Sequence, residues 1–193
     1  MTRNYSLEFS TPPSPWATYP RILASRKPSL AREAAPAVRI EATQSSVRVD
    51  PAHLARYREI CGCGGDPQRL PIAYPHVLAG ALHLAMLSCD AFPVKLLGLV
   101  HVRNRIEQRR PIDPSQRGSL HAFVDGHRET DRGQEFDLHT EWLVDGEATW
   151  SEITTFLARR PRGAAAGRAA RGSADAEAST ASAARTGSGG LRG

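Results

Sequence analysis

This 193-residue chain has no long uninterrupted apolar run. Its most apolar stretch lies within residues 77–89 and is broken by His83, well short of the roughly 20 residues that a membrane-spanning helix needs. No transmembrane segment is expected. The opening "MTRNYSLEFSTPPSPW" lacks a charged stub followed by an apolar core and a small-residue cleavage site, so no secretory leader is expected and the cytoplasm is the expected location. Cysteine is scarce. Cys61, Cys63 and Cys89 cannot form a fully paired set, and "CGCGG" supplies two thiols without the second pair or nearby histidine of a zinc finger, so reduced thiols and no metal are expected.

The chain also lacks a basic face where a nucleic acid would want one. From residue 159 onward seven arginines (159, 160, 162, 168, 171, 185 and 192) stand against Asp175 and Glu177, which accounts for the whole net charge of +5. Residues 1–158 are balanced, and no interleaving of basic and aromatic residues appears there, so no nucleic-acid partner is expected. Residues 161–193 hold a single large apolar side chain, Leu191. Such a segment cannot bury enough surface to offset its ordering entropy, and it reads as a disordered Ala/Gly/Ser/Arg-rich tail. Residues 1–36 carry prolines at 12, 13, 15, 20, 28 and 36 and read as a surface segment with a short helix near "YPRILASR". Residues 37–160 remain as a single domain of ordinary size.

Within that domain "VRIEATQSSVRV" reads as an extended entry. A helix follows over "DPAHLARYREICG", with Asp50 as N-cap, Pro51 at the first helical position, Gly62 as the stop and Leu54, Tyr57 and Ile60 as an apolar stripe. A glycine-rich turn leads to "YPHVLAGALHLAML", a helix over 75–89 that is apolar on every side and must be covered on most of them. From residue 96 the period changes to two. In "LVHVRNRIEQ" Val100, Val102 and Ile106 face one way and His101, Arg103, Arg105 and Glu107 the other. In "EFDLHTEWLVDGE" Phe136, Leu138, Thr140, Trp142 and Val144 share a face, and Asp145-Gly146 marks a tight hairpin into "ATWSEITTFLA". Successive antiparallel strands after one all-apolar helix predict an α+β hotdog fold, a curved antiparallel sheet wrapped around a central helix.

The stretches "LPIAYPHVLAGALHLAML", "FPVKLLGLVHVRNRIEQRRPI" and "GQEFDLHTEWLVDGEATWSEITTFLARR" resemble the N-terminal half of the double-hotdog MaoC-like acyl dehydratases, relatives of the R-specific enoyl-CoA hydratases, over about residues 10–160. The resemblance implies an acyl-CoA or acyl-carrier-protein thioester as ligand, with no further cofactor. It also implies a homodimer or pairing with a second hotdog domain. In active members an aspartate and a histidine of Gly-Asp-x-Asn-Pro-x-His hold the water that adds across the C2=C3 double bond. Backbone N–H groups at the start of the central helix, here near Val77 and Leu78, polarise the thioester carbonyl as charge develops on it.

Laid on "GDPQRLP", the motif keeps Gly65 and Asp66 but puts Gln68, Arg69 and Pro71 where asparagine, proline and histidine belong. His76, at the helix start, is the one residue that can stand in for the missing histidine; its plain alternative is to order the preceding loop. Asp66 has the plain alternative of serving its turn. His83 reads as a core histidine bonded to a strand, and its separation of seven from His76 argues against a shared metal. Arg103 and Arg105 are either a solvated line or a seat for coenzyme A phosphates. Three functions stay open: a non-catalytic acyl-thioester-binding or partner half, an active enoyl-thioester hydratase using Asp66 and His76, and an inactive truncated or frame-altered product.

Overall fold

A computed structural model describes residues 3–31 and 38–160; the tail at 161–193 lies outside the described residues. One compact unit runs Met1–Arg159. Its elements are β1 (Arg3–Phe9), α1 (Pro15–Leu23), β2 (Val38–Val47), α2 (Pro51–Cys61), α3 (Tyr74–Ser88), β3 (Leu99–Gln108), β4 (Gly118–Asp125), β5 (Arg128–Thr130), β6 (Gly133–Val144) and β7 (Glu147–Arg159). The sheet order is β1-β2-β4-β6-β7-β3, with the short β5 added on β6. All pairings are antiparallel except β1 with β2, which is parallel. The expected antiparallel sheet is thus a mixed one, because β1 joins it from a segment that reads as proline-rich surface chain. Phe9 precedes all of those prolines, so the strand meets none of the restrictions that Pro12, Pro13 and Pro15 impose further on.

Helix α2 forms where its caps place it. The Asp50 side chain accepts from the N–H groups of Ala52 and His53, and Gly62 closes the helix in the left-handed conformation at φ 61°. Its predicted stripe is only partly used: Leu54 is buried, but Ile60 is 70% exposed. Helix α3 is the central helix. Tyr74, Ala79, Leu82, His83, Met86 and Leu87 are buried against the sheet, and Val77 and Gly80 are its exposed positions. At its C-terminal end the Lys27 ammonium donates to the carbonyls of Ser88 and Cys89, where the helix dipole favours a cation. Ala31 bonds in both directions to the Gln134 side chain on β6, so the chain before β2 is tied to the core.

Strands β6 and β7 meet at the predicted hairpin, with Asp145 and Gly146 at φ 52° and 82°, the pair of positive values that a type I′ turn requires. Phe136, Leu138, Trp142 and Val144 of β6 are all buried, as is Trp150 of β7, opposite Trp142. Gly118 is needed for space: a Cβ there would meet the Trp142 indole at 2.4 Å. The three cysteines are free. Among the described residues no helix is long and apolar enough to cross a membrane.

Candidate active site

A polar group of side chains from the sheet gathers against the N-terminal two-thirds of α3, around His76 and His83. Glu152 of β7 lies directly opposite Thr140 of β6, and it shares its face of the strand with Trp150 and Thr154. Its carboxylate is wholly buried. His76 Nδ1–H donates to both carboxylate oxygens at 2.9 Å, and Asn104 of β3 donates from Nδ2 at 3.1 Å. His83 Nε2 is hydrogen-bonded to Thr140 Oγ1 at 2.8 Å and stands 3.8 Å from Glu152 Oε1. The two imidazoles lie with ring centroids 5.6 Å apart, and His101 approaches His76 at 6.2 Å.

Hydrogen bonding and burial act in opposite directions on the two histidines. The hydrogen bond to Glu152 raises the His76 pKa against the opposing effect of desolvation, so the pairing favours the protonated imidazole. His83 is pushed down to about 4, chiefly by burial, and is neutral at physiological pH. A histidine held at Nδ1 by a buried carboxylate has its tautomer and ring orientation fixed. Its Nε2 has no hydrogen-bond partner among the described residues and about a third of the side chain is exposed, so that nitrogen can take or give a proton.

Asp66 is not part of this group. Its carboxylate accepts from the Gln68 N–H at 2.8 Å and pairs with Arg69 at 3.1 Å, with about half of its side chain exposed. The histidine of the expected Asp66–His76 dyad is therefore paired with Glu152 instead, because the glycine-rich turn closes on itself while β7 carries its carboxylate directly under the helix start. Val77 is exposed and Leu78 half-buried at that start. Helix α3 has no side-chain N-cap, which leaves first-turn N–H groups without a side-chain acceptor.

Strand β3 corrects the expected two-residue alternation. A bulge between His101 and Arg103 sets His101 opposite Phe156 and Arg103 opposite Thr155, so His101 joins Asn104 on the helix side while Arg103 and Arg105 face out. Arg103 is committed to the buried Glu135 at 2.7 Å, which Arg128 also contacts at 2.6 Å, and these hydrogen bonds hold the Glu135 carboxyl below its ordinary range. Arg105 pairs with the exposed Glu107. Both arginines line a cavity of about 370 Å³ with Arg128 and Thr155. A cavity of about 880 Å³ lies along α2 between Arg48, Leu54, Arg58, Gln68 and Arg117, and none of the His76 group lines it.

Glu152, Thr140 and Asn104 escape a sequence reading centred on the motif position. A signal was present: in "TWSEITT" Glu152 and Thr154 are in phase with Trp150, which marks them as facing the core.

The α3 helix, its enclosing sheet and the buried His–Glu pair define a hotdog protein with a polar site at the start of the central helix. No family model matches the chain. A curated relative, the 3-hydroxyacyl-thioester dehydratase X of Mycobacterium tuberculosis, is 30% identical over 115 residues, covering 60% of this chain and 41% of the relative. A crystal structure of HtdX from the same organism superposes with a TM-score of 0.58 at 29% identity, over 64% of this chain and 53% of that one. A second HtdX structure gives 0.55 at 28% identity, over 63% and 49%. The chain is similar to these dehydratases in fold and, at about 30% identity, in sequence, and it spans about half the length of the relatives it matches.

Proposed function

We propose that the chain is a MaoC-like hotdog module of cytoplasmic acyl-thioester metabolism that binds acyl-CoA or acyl-carrier thioesters and works paired with a second hotdog domain, its own copy or another chain. The observation that carries this reading is the fate of Asp66. Its carboxylate is spent on Gln68 and Arg69 within its own turn, and Pro71 replaces the motif histidine, so the family's loop dyad is not assembled. Pairing is supported by β3, a ten-residue edge strand, and by exposed Ile72, Val77 and Val100. Arg105 is the outward cation left for a coenzyme A phosphate, since its partner Glu107 is exposed and such pairs are weak. Titration of the purified chain with a short trans-2-enoyl-CoA tests the reading. Saturable binding that weakens with salt and in Arg105→Ala is expected, with no loss of the conjugated thioester absorbance; absence of binding at low salt would refute it.

A second reading, hydration of the enoyl thioester by this chain, is favoured by the His76–Glu152 pair. There His76 Nε2 takes the proton from water as its oxygen adds to C3, Glu152 stabilises the imidazolium, and the imidazolium returns that proton to C2 as the thioester enolate collapses. Turnover that disappears in Glu152→Gln and His76→Ala but survives in Asp66→Asn would establish it over the first.

A further inference from the structure

The group under the start of α3 holds more donors than an acid/base pair needs. His76, His83 and Glu152 each place one ligand atom, a ring nitrogen or a carboxylate oxygen, within 4.8 Å of the other two. We propose that His76, His83 and Glu152 form a binding site for a first-row divalent transition metal of the zinc type. Two imidazoles and one carboxylate are a borderline N/O donor set of the kind that Zn²⁺, Co²⁺ and Fe²⁺ accept. Zinc legs of about 2.0–2.1 Å put tetrahedral ligand atoms roughly 3.3 Å apart. The His76–Glu152 distance of 2.9 Å and the His83–Glu152 distance of 3.8 Å bracket that spacing, so the adjustment falls on the edge between the imidazoles. His76, which keeps a third of its side chain exposed, can rotate to close it and also gives the ion a way in.

The surroundings fit a metal better than an isolated ion pair. Asn104 donates to one carboxylate oxygen, an orienting contact that metal ligands usually receive, while His83 Nε2 would exchange its hydrogen bond to Thr140 Oγ1 for the ion. His83 is neutral, as a ligand must be. Independently, the Thr154 hydroxyl is wholly buried with no hydrogen-bond partner, on the same face of β7 and two residues along from Glu152. Such an orphan is costly unless something answers it. A water completing the metal's open position gives it a partner. The separation of seven residues that argues against a shared ion in the sequence assumes two histidines acting alone on one helix. Here the side chains lean together across two turns, and Glu152 on the facing strand bridges them.

The inference stands apart from the acyl-thioester reading, since metal binding is measured without substrate. Chain freed of metal by chelation is dialysed against Zn²⁺, and Co²⁺ is added in parallel for its visible spectrum. One equivalent per chain is expected, with Co²⁺ bands of low coordination number and no sulfur-to-metal charge transfer. Glu152→Gln and His76→Gln, checked for folding by circular dichroism, should each weaken binding by at least about tenfold, while Cys61→Ser with Cys63→Ser should leave it unchanged. No binding by the folded chain, undiminished binding in both ligand variants, or loss of binding in the cysteine variant would each overturn the proposal.

Discussion

Two carboxylates near the start of α3 illustrate how position decides what the same group can do. Asp66 lies in a turn with its side chain 47% exposed, held by a neighbouring backbone N–H and by an arginine that is itself 63% exposed. Glu152 lies on the inner face of β7 with nothing of its side chain exposed, and its partners come from a helix and from a second strand. Water screens the first and is excluded from the second. Interactions at Glu152 are therefore stronger, and so is the penalty for leaving any of them unmade.

The largest expected effect follows from removing the His76 donor at Glu152. His76→Ala leaves a fully buried carboxylate with Asn104 as its remaining hydrogen-bond donor, and a destabilisation of about 3 kcal/mol is expected. Urea unfolding of the metal-free chain measures it. A change below about 1 kcal/mol would mean that water reaches Glu152 and that the contrast with Asp66 is false.

Titration of His83 comes next. Its folded pKa of about 4 lies below the unfolded value near 6.5, so between those limits the unfolded chain binds the extra proton. Stability is then fully present above about pH 6.5 and is lost as pH falls toward 4, by about 3 kcal/mol at the bottom of the window. Raising the pH through the same range restores it. His76, with its raised pKa, acts in the opposite sense: its contribution is present at low pH and fades as pH rises through its folded value. Unfolding midpoints from pH 4 to 7 in chelator should fall toward acid in the parent chain, and more shallowly in His83→Gln.

What the sequence disclosed and what it hid follow the same division between local and long-range. Asp50, Pro51 and Gly62 fix α2 through contacts within a few residues, and Asp145-Gly146 fixes its hairpin through backbone angles, so both were legible. The all-apolar helix and the strand periods gave the hotdog fold, and the burial of Leu82, Met86, Trp142 and Trp150 agrees with it. Strand β1 was not legible, since its parallel partner β2 begins 29 residues after it ends. Nor was the side on which His101 lies, because one bulge reverses the alternation that the sequence suggests. The pairing of His76 with Glu152 spans 76 residues and depends on how the sheet wraps the helix. A family motif directs attention to Asp66, whereas the phase of Glu152 with Trp150 is the physical signal that a carboxylate has been placed inside.

The smallest expected effect sharpens the contrast from the exposed side. In Asp66→Asn the side-chain oxygen can still accept from the Gln68 N–H, and only the ion pair with Arg69 is lost. Exposed pairs of that kind contribute roughly 0.2–1 kcal/mol and are weakened by salt. A loss of under about 0.5 kcal/mol is therefore expected, diminishing further at high ionic strength, with acyl-CoA affinity unchanged. The control is Arg69→Ala, which removes the same pair from the other side and should produce a similar small loss; its backbone carbonyl still accepts from Arg58. If Asp66→Asn instead abolished ligand binding or turnover while Arg69→Ala did not, the carboxylate would be acting on substrate rather than on its turn. The chemistry would then belong to the loop, and Glu152 would be left with a purely structural part.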